Sequence, residues 1–396
     1  MLPSPSSRAT RRRASLVAAA SVLALAGATT TACQPPPVRL VGPGHPYATP
    51  CQAIAAAQPG DTIQIDAAGN GTYDGDVCGW STNNLTITGI NGRARVDAAG
   101  RSSGGKAIWV IAGTNTTIRN VELSGATVPD RNGAGIRQEG AGLTVVGSYF
   151  HDNEDGILAG ANNVSDIVID SSEFARNGQG DGYSHNMYIG AVRSFTLRYS
   201  WSHDAVVGHL VKSRAATNTI IYNRITGQAG SSSYEIDLPN AGLSYIIGNV
   251  VQQGAGTQNP SLIAYGEEGV TNPSSQLYVV NNTLVNDRSG GTAVFTGAQV
   301  TAPVRFQNNV SVGFATQVSQ ATATLTTNCV TTTPGFVNRS AFDYHLAATS
   351  PCIDVGTAPG AGQGYPLAPT QQYVYDLGKA ARTTTGASID AGAFER

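Results

Sequence analysis

The sequence predicts an all-β chain wound as a solenoid of parallel strands, with a short helical cap near its N-terminal end. Three observations carry this expectation. A short β-rich phrase returns through the middle of the chain, and seven of its eight copies hold Ser or Asn at one equivalent position. Glycine is abundant, 47 of 396 residues, while lysine occurs only at Lys106, Lys212 and Lys379. That composition disfavours a helical bundle or a coiled coil.

The phrases are TTIRNVEL (116–123), LTVVGSYF (143–150), IVIDSSEF (167–174), FTLRYSWS (195–202), TIIYNRIT (219–226), SYIIGNVV (244–251), LYVVNNTL (277–284) and VRFQNNVS (304–311). Aligned on the third residue from the end, they give Val121, Ser148, Ser172, Ser200, Asn223, Asn249, Asn282 and Asn309. The step between the polar members averages about 27 residues, a period suited to one coil of a solenoid. A column of such side chains can bond turn backbones one rung away and so satisfy groups that a tight buried turn strands. Second strands lie between the phrases: DGILAG (155–160), HNMYIG (185–190), GHLVKS (208–213), SYEIDL (233–238) and SLIAYG (261–266). Each rung therefore reads strand, turn, strand, loop, with rungs about 4.8 Å apart. A propeller blade of about forty residues and a leucine-rich frame both fail to match this pattern.

Ahead of the coil, RATRRR (8–13) is a basic run and Leu16 to Ala28 is apolar, the layout of a secretory signal over residues 1–32. Thr10-Arg11-Arg12 weakly resembles a twin-arginine signal, and the run ends at Thr30-Thr31-Ala32-Cys33, similar to a bacterial lipoprotein signal apart from Thr30. Lipidation of Cys33 and ordinary cleavage nearby both remain open, so the chain is expected to be secreted, periplasmic or held at a bacterial surface. Residues 33–47 read as a linker and 48–396 as one domain. Setting Cys33 aside leaves Cys51, Cys78, Cys329 and Cys352. Four cysteines allow three connectivities, and the local pairing Cys51–Cys78 with Cys329–Cys352 would staple each end. Beyond residue 32 the chain has 20 basic and 26 acidic side chains, a net of −6 without a basic stripe. Nucleic acid is thereby disfavoured as a partner. No feature calls for a second copy, and a monomer is expected.

The segment CQAIAAAQPGDTIQID (51–66) is similar to the amphipathic cap and first strand of the right-handed parallel β-helix proteins of the pectate-lyase-like type. YHLAATSPCIDVG (344–356) and SIDAGAFER (388–396) resemble the closing segment of exported bacterial members. The resemblance covers residues 48–396 and implies a fold rather than a reaction.

Function is expected where the coil departs from its own repeat. The departures concentrate in DGYSHNMYIG (181–190), WSHDAVVGHLVKSR (201–214), SSSYEIDLPN (231–240) and SLIAYGEEG (261–269). Aligning the second strands on their ends puts Ile189, Lys212, Asp237 and Tyr265 in one outward column, with Met187, Leu210, Glu235 and Ile263 beside it. Tyr188, Val211, Ile236 and Ala264 then point inward, as do Asn186, His209 and Tyr234. A one-residue slip would reverse these faces. His185, Arg214 and Glu267 fall at the edges of this wall and His203 in a neighbouring turn.

Extended solenoid faces accommodate polymers, and acidic polysaccharides are cleaved by abstracting the proton α to a uronate carboxylate and expelling the 4-linked oxygen. That chemistry needs a base, a partner for the carboxylate and a proton donor. Lys212 or a histidine, His185 or His209, can serve as base, Arg214 as carboxylate partner, and Tyr188, Tyr234 or His185 as acid. His203, Glu235, Asp237, Tyr265 and Glu267 are candidate substrate-binding residues. Carboxylates beside an ammonium favour its charged form, so a calcium ion on Glu235 and Asp237 is a possible cofactor. Asp152, Glu154 and Asp155 in HDNEDG resemble a calcium loop only loosely. Residues 209–254 are similar to the core of the chondroitinase-B and alginate-lyase group, in which a Lys-Ser followed by two Asn rungs carries the base lysine. The match falls on Lys212-Ser213, Asn223 and Asn249, and it implies a polysaccharide lyase with Lys212 as base. The group's arginine on the next rung has no counterpart here, leaving Arg214 as a substitute. Competing readings are a uronate C5-epimerase, a glycoside hydrolase using Glu235 and Asp237, and a solenoid that only binds glycan.

Overall fold

The computed structural model describes residues 37–69, 71–288 and 290–396. The expected signal segment and Cys33 lie outside the described residues. Among the described residues, parallel strands stack into three sheets of 12, 11 and 10 strands, called here sheets 1, 2 and 3. The chain visits them in that order on each coil; Val192–Arg198, Trp201–His203 and Val211–Ser213 form one coil, and Thr217–Ile221 begins the next.

Each recurring phrase is therefore two strands rather than one. The bend between them falls at the Ser/Asn column, because the preceding residue turns the chain with a left-handed backbone, as at Ser171 (φ 48°), Tyr199 (φ 53°) and Tyr222 (φ 57°). The side chain that follows points inward and serves the turn one rung before it. The backbone N–H of Ser200 donates to Asn223 Oδ1 (3.0 Å), that of Asn223 to Asn249 (2.9 Å), and that of Asn249 to Asn282 (2.9 Å). Asn309 continues the ladder to Asn328, one rung beyond the expected column. Inside, an aliphatic column on sheet 1 runs through Ile118, Val145, Ile169, Leu197, Ile220, Ile246 and Val279 in unbroken register. All seven are 0% exposed, which fixes the register of the whole stack.

The coil starts earlier than the sequence implies. Val38–Val41 pairs in parallel with Thr62–Asp66, so this part of the expected linker is the first strand of sheet 1. The helix Pro50–Ala55 follows and buries Pro50, Ala53 and Ile54 as the expected cap. Disulfides join Cys51 to Cys78 and Cys329 to Cys352, the local pairing. Beyond residue 333 the chain leaves the coil and forms three small antiparallel hairpins. This closing segment lies along the outside of sheets 1 and 2. Leu367 packs with Tyr199, Tyr222 and Tyr245 of sheet 1 and the turn beside it, and Phe394 packs with Val250 and Val285 of sheet 2. None of these packing contacts of the closing segment falls on sheet 3.

Candidate active site

Register on sheet 3 decides which side chains meet. Leu158 pairs with Tyr188, Tyr188 with Lys212, Lys212 with Asp237, and Asp237 with Ala264. The outward column is thus Tyr188, Lys212 and Asp237, one residue out of step with the alignment on strand ends for the first and last rungs. Ile189 and Tyr265 point inward instead, and both are 0% exposed. Tyr265 donates its hydroxyl to the carbonyl of Gly242 (2.6 Å) and belongs to the core, so it is no substrate-binding residue. The first and last of these strands end at Ile189 and Tyr265, one residue before Gly190 and Gly266, whereas the middle two run to the ends of their phrases at Ser213 and Leu238.

Lys212 sits on the outer face of sheet 3, between Tyr188 and Asp237. Its ammonium lies 2.9 Å from Asp237 and 3.6 Å from Glu268. Arg214, just past the strand, is held on two edges: Nε donates to the Tyr188 hydroxyl (2.7 Å) and Nη1 to Asn240 (2.5 Å). Its Nη2 reaches Glu268 at 2.7 Å. One carboxylate therefore lies across both cations, and its side chain is 46% exposed. Glu267 is buried against Asp237, and burial followed by that neighbouring carboxylate pushes it up to about 9. At neutral pH it is a hydrogen-bond donor.

At the entry to the same strands His185, His209 and Tyr234 stack rung on rung, with ring centroids 4.6 and 5.2 Å apart. The backbone N–H of His209 donates to His185 Nδ1 (3.0 Å), and that of Tyr234 donates to His209 Nδ1 (3.1 Å). Each imidazole is therefore fixed with its proton on Nε2. Burial, then the charges of Lys212 and Arg214, holds His185 down at about 3, and burial chiefly holds His209 well below the usual range. Both rings are neutral donors whose basic nitrogen is occupied, which corrects the expectation that either serves as base. His209 Nε2 faces Asp237 at 3.3 Å, so it orients that carboxylate rather than pointing into the core.

Two further candidates fall outside this group. His203 lies on sheet 2, stacked on Trp201 and between Glu173 and Asp204. Glu235 is 0% exposed and bonds Ser232 and Thr257, and burial raises it well above the ordinary carboxylate range. Glu235 and Asp237 thus face different surroundings, and neither a calcium site nor a hydrolytic pair is formed by them. Asp237 is already matched by an ammonium, and among the described residues no three His, Cys, Asp or Glu side chains converge as a metal site. These residues do not fit calcium. Sequence reasoning missed Glu268 and Asn240. The tandem acids of the GEEG turn (266–269) were the available signal, but which one faces the lysine depends on that turn's geometry.

A family model described as "Right handed beta helix region" matches residues 70–251. The chain's fold is thus a parallel β-helix, and the matched residues are similar to its right-handed form. Its fold is pectate-lyase-like: the crystal structure of pectate lyase Pel9A superposes with a TM-score of 0.61 at 17% identity, covering 89% of this chain and 92% of that one. ORF18 of Geobacillus virus E2 gives a TM-score of 0.41 at 13% identity, covering 70% and 55%. Pectin methylesterase PemA from Erwinia chrysanthemi gives 0.36 at 11% identity, covering 70% and 80%. No curated protein matches by sequence.

Proposed function

We propose that the protein is an exported polysaccharide lyase that cleaves a uronate-containing polymer by β-elimination on the outer face of sheet 3. The observation that carries the reading is the placement of Lys212 and Arg214 side by side on that face with the Glu268 carboxylate across both. A solenoid needs no cation on the outside of its strands, and Lys212 is nonetheless only 8% exposed. The likeness to a pectate lyase agrees with a polysaccharide substrate, and the two disulfides agree with an oxidising compartment.

In this reading a substrate uronate takes the place of Glu268. Arg214 binds its carboxylate and offsets the charge that grows there as the α carbon is deprotonated. The Lys212 nitrogen acts as the neutral amine, its extra proton lost to solvent, and takes the α hydrogen. The electron pair forms the new C=C bond as the bond to the 4-linked oxygen breaks. Tyr188 is the donor to that oxygen: its own oxygen accepts from Arg214, which leaves its hydrogen free for the substrate. His209 positions Asp237, while His185 and Tyr234 line the entry as donors to sugar hydroxyls.

The test is ultraviolet absorbance of unsaturated uronate during incubation with alginate, pectate, glucuronan, chondroitin and hyaluronan. The reading expects a rise with at least one polymer and a loss of about 10²–10⁴-fold in Lys212→Ala, with an unchanged circular dichroism spectrum. Full activity in that variant sinks the assignment. Exchange of the C5 proton with solvent without a rise in absorbance would mark a C5-epimerase instead, and new reducing ends without unsaturation a hydrolase.

A further inference from the structure

Two to three rungs from Lys212, the same outer face deepens into a cleft of about 440 Å³. Arg137, Leu158 and Tyr188 are successive members of the outward column and form its floor. One wall is Asp130 and Arg131, and the other is Asp181 and Tyr183, from a loop two coils further on. Tyr188 belongs to both places, since its hydroxyl holds Arg214 while its ring borders the cleft.

The cleft is built. Its two walls approach one another where the Ser184 hydroxyl meets the carbonyl of Arg131 (3.5 Å), and Ser184 also bonds Asp181 (3.3 Å). Gly178, Gly180 and Gly182 take φ of 124°, 78° and 81°, which lets the second loop fold back over the face. At its tip Tyr183 is 86% exposed, its N–H bonded to Asp181 Oδ1 (2.9 Å). An aromatic ring left in solvent beside a polar cleft is an apolar platform without a partner of its own. Behind it Asp155 is 1% exposed and accepts the backbone N–H of His185 (2.8 Å). Burial chiefly pushes this carboxyl up to about 8, so it is protonated at neutral pH and both donates and accepts.

A ring-shaped, hydroxyl-rich ligand fits these features: one face against an aromatic platform, its edge against a neutral carboxyl and guanidinium groups. At about 4.8 Å per rung, the floor at Leu158 is about 10 Å and that at Arg137 about 14 Å from Lys212, a span of a few linked sugar rings. We propose that the cleft bounded by Tyr183, Asp155 and Arg137 is a distal subsite that binds a pyranose unit of the polymer whose cleavage is assigned to Lys212. It rests on the proposed function for the identity of the polymer.

Affinity electrophoresis tests it without needing turnover. Lys212→Ala, which cannot cleave in the proposed mechanism, is run through native gels cast with each polymer of the panel, beside Lys212→Ala/Tyr183→Ala and Lys212→Ala/Leu158→Trp, the last filling the floor. Retardation of the parent by at least one polymer, with a dissociation constant raised about tenfold or more in both double variants, is the expected result. Equal retardation of all three proteins, or retardation of none by any polymer, overturns the subsite. The outcome is separable from the lyase assignment: if wild-type protein cleaves nothing yet Tyr183→Ala still abolishes retardation, the reaction falls and the subsite stands.

Discussion

At Arg214 two edges of the guanidinium are held by Tyr188 and Asn240, and the third faces Glu268. A guanidinium so fixed loses little freedom when a carboxylate docks. Glu268, half in solvent, occupies that place with modest strength, since exposed ion pairs contribute about 1 kcal/mol or less. Glu268→Gln should therefore lower KM for an acidic oligosaccharide by about fivefold or less while kcat changes little; a raised KM would show that Glu268 contacts substrate instead. Glu267 gives a different signal. Its folded pKa of about 9 lies above the ordinary value of 4.5, so the folded state keeps a proton that the unfolded chain has lost between those values. Stability contributed in this way is present below pH 4.5 and falls as pH rises towards 9. Glu267→Gln, which keeps the donor without the titration, should flatten that fall in melts taken across the range.

The element that repeats is the bend between sheets 1 and 2. Asn249 accepts the N–H of Asn223 and donates to the carbonyl of Ile220 (2.8 Å), both groups being buried. Asn249→Ala leaves two buried backbone groups unmet and opens a gap in the ladder. A loss of about 2–4 kcal/mol is expected in denaturant titration, against a few tenths for an exposed Asn on an outer loop. A second device recurs on sheet 2. His151 lies between Glu122 and Asp152, and His203 between Glu173 and Asp204. Burial lowers each histidine, but the hydrogen bonds to its two carboxylates prevail and leave both raised. Their contribution is complete below the unfolded value near 6.5 and is lost as pH rises through the folded values. Replacing both with Gln should remove part of the alkaline decline in melting temperature while leaving the acid side nearly as it was.

Across the whole molecule, the closing segment covers sheets 1 and 2 and leaves sheet 3 outside its contacts. Tyr199 and Tyr222, at the bends beside sheet 1, and Tyr245 on its outer face would form an exposed apolar strip if residues 334–396 were absent. A chain ending at residue 333 also loses the Cys329–Cys352 bond, and it should associate and bind a hydrophobic dye, as large uncovered apolar patches do. A monomeric, dye-silent truncation would contradict this. The outer face of sheet 3 carries both the Lys212 site and the cleft at Tyr183, so in the proposed function one polymer strand running along the coil axis would reach both.

The coil itself was legible because its physics is local and repeated. A buried bend needs a short polar side chain on every rung, and this prints Ser or Asn at a near-constant interval. The concentration of His, Lys, Glu and Tyr between 181 and 268 marked the region of the site for the opposite reason, since stacking demands none of them. What the chain could not show by itself was phase. Whether Tyr188 or Ile189 stands beside Lys212 depends on where each strand meets its neighbour, a contact between residues some 24 positions apart, and one residue of slip turns a side chain from groove to core. The same holds for Glu235, which burial removed from the site, and for Glu268, which a turn brought into it. Composition and period determined the coil and the rungs that matter; only tertiary packing decided which side chains face one another, because register and burial are properties of the stacked whole.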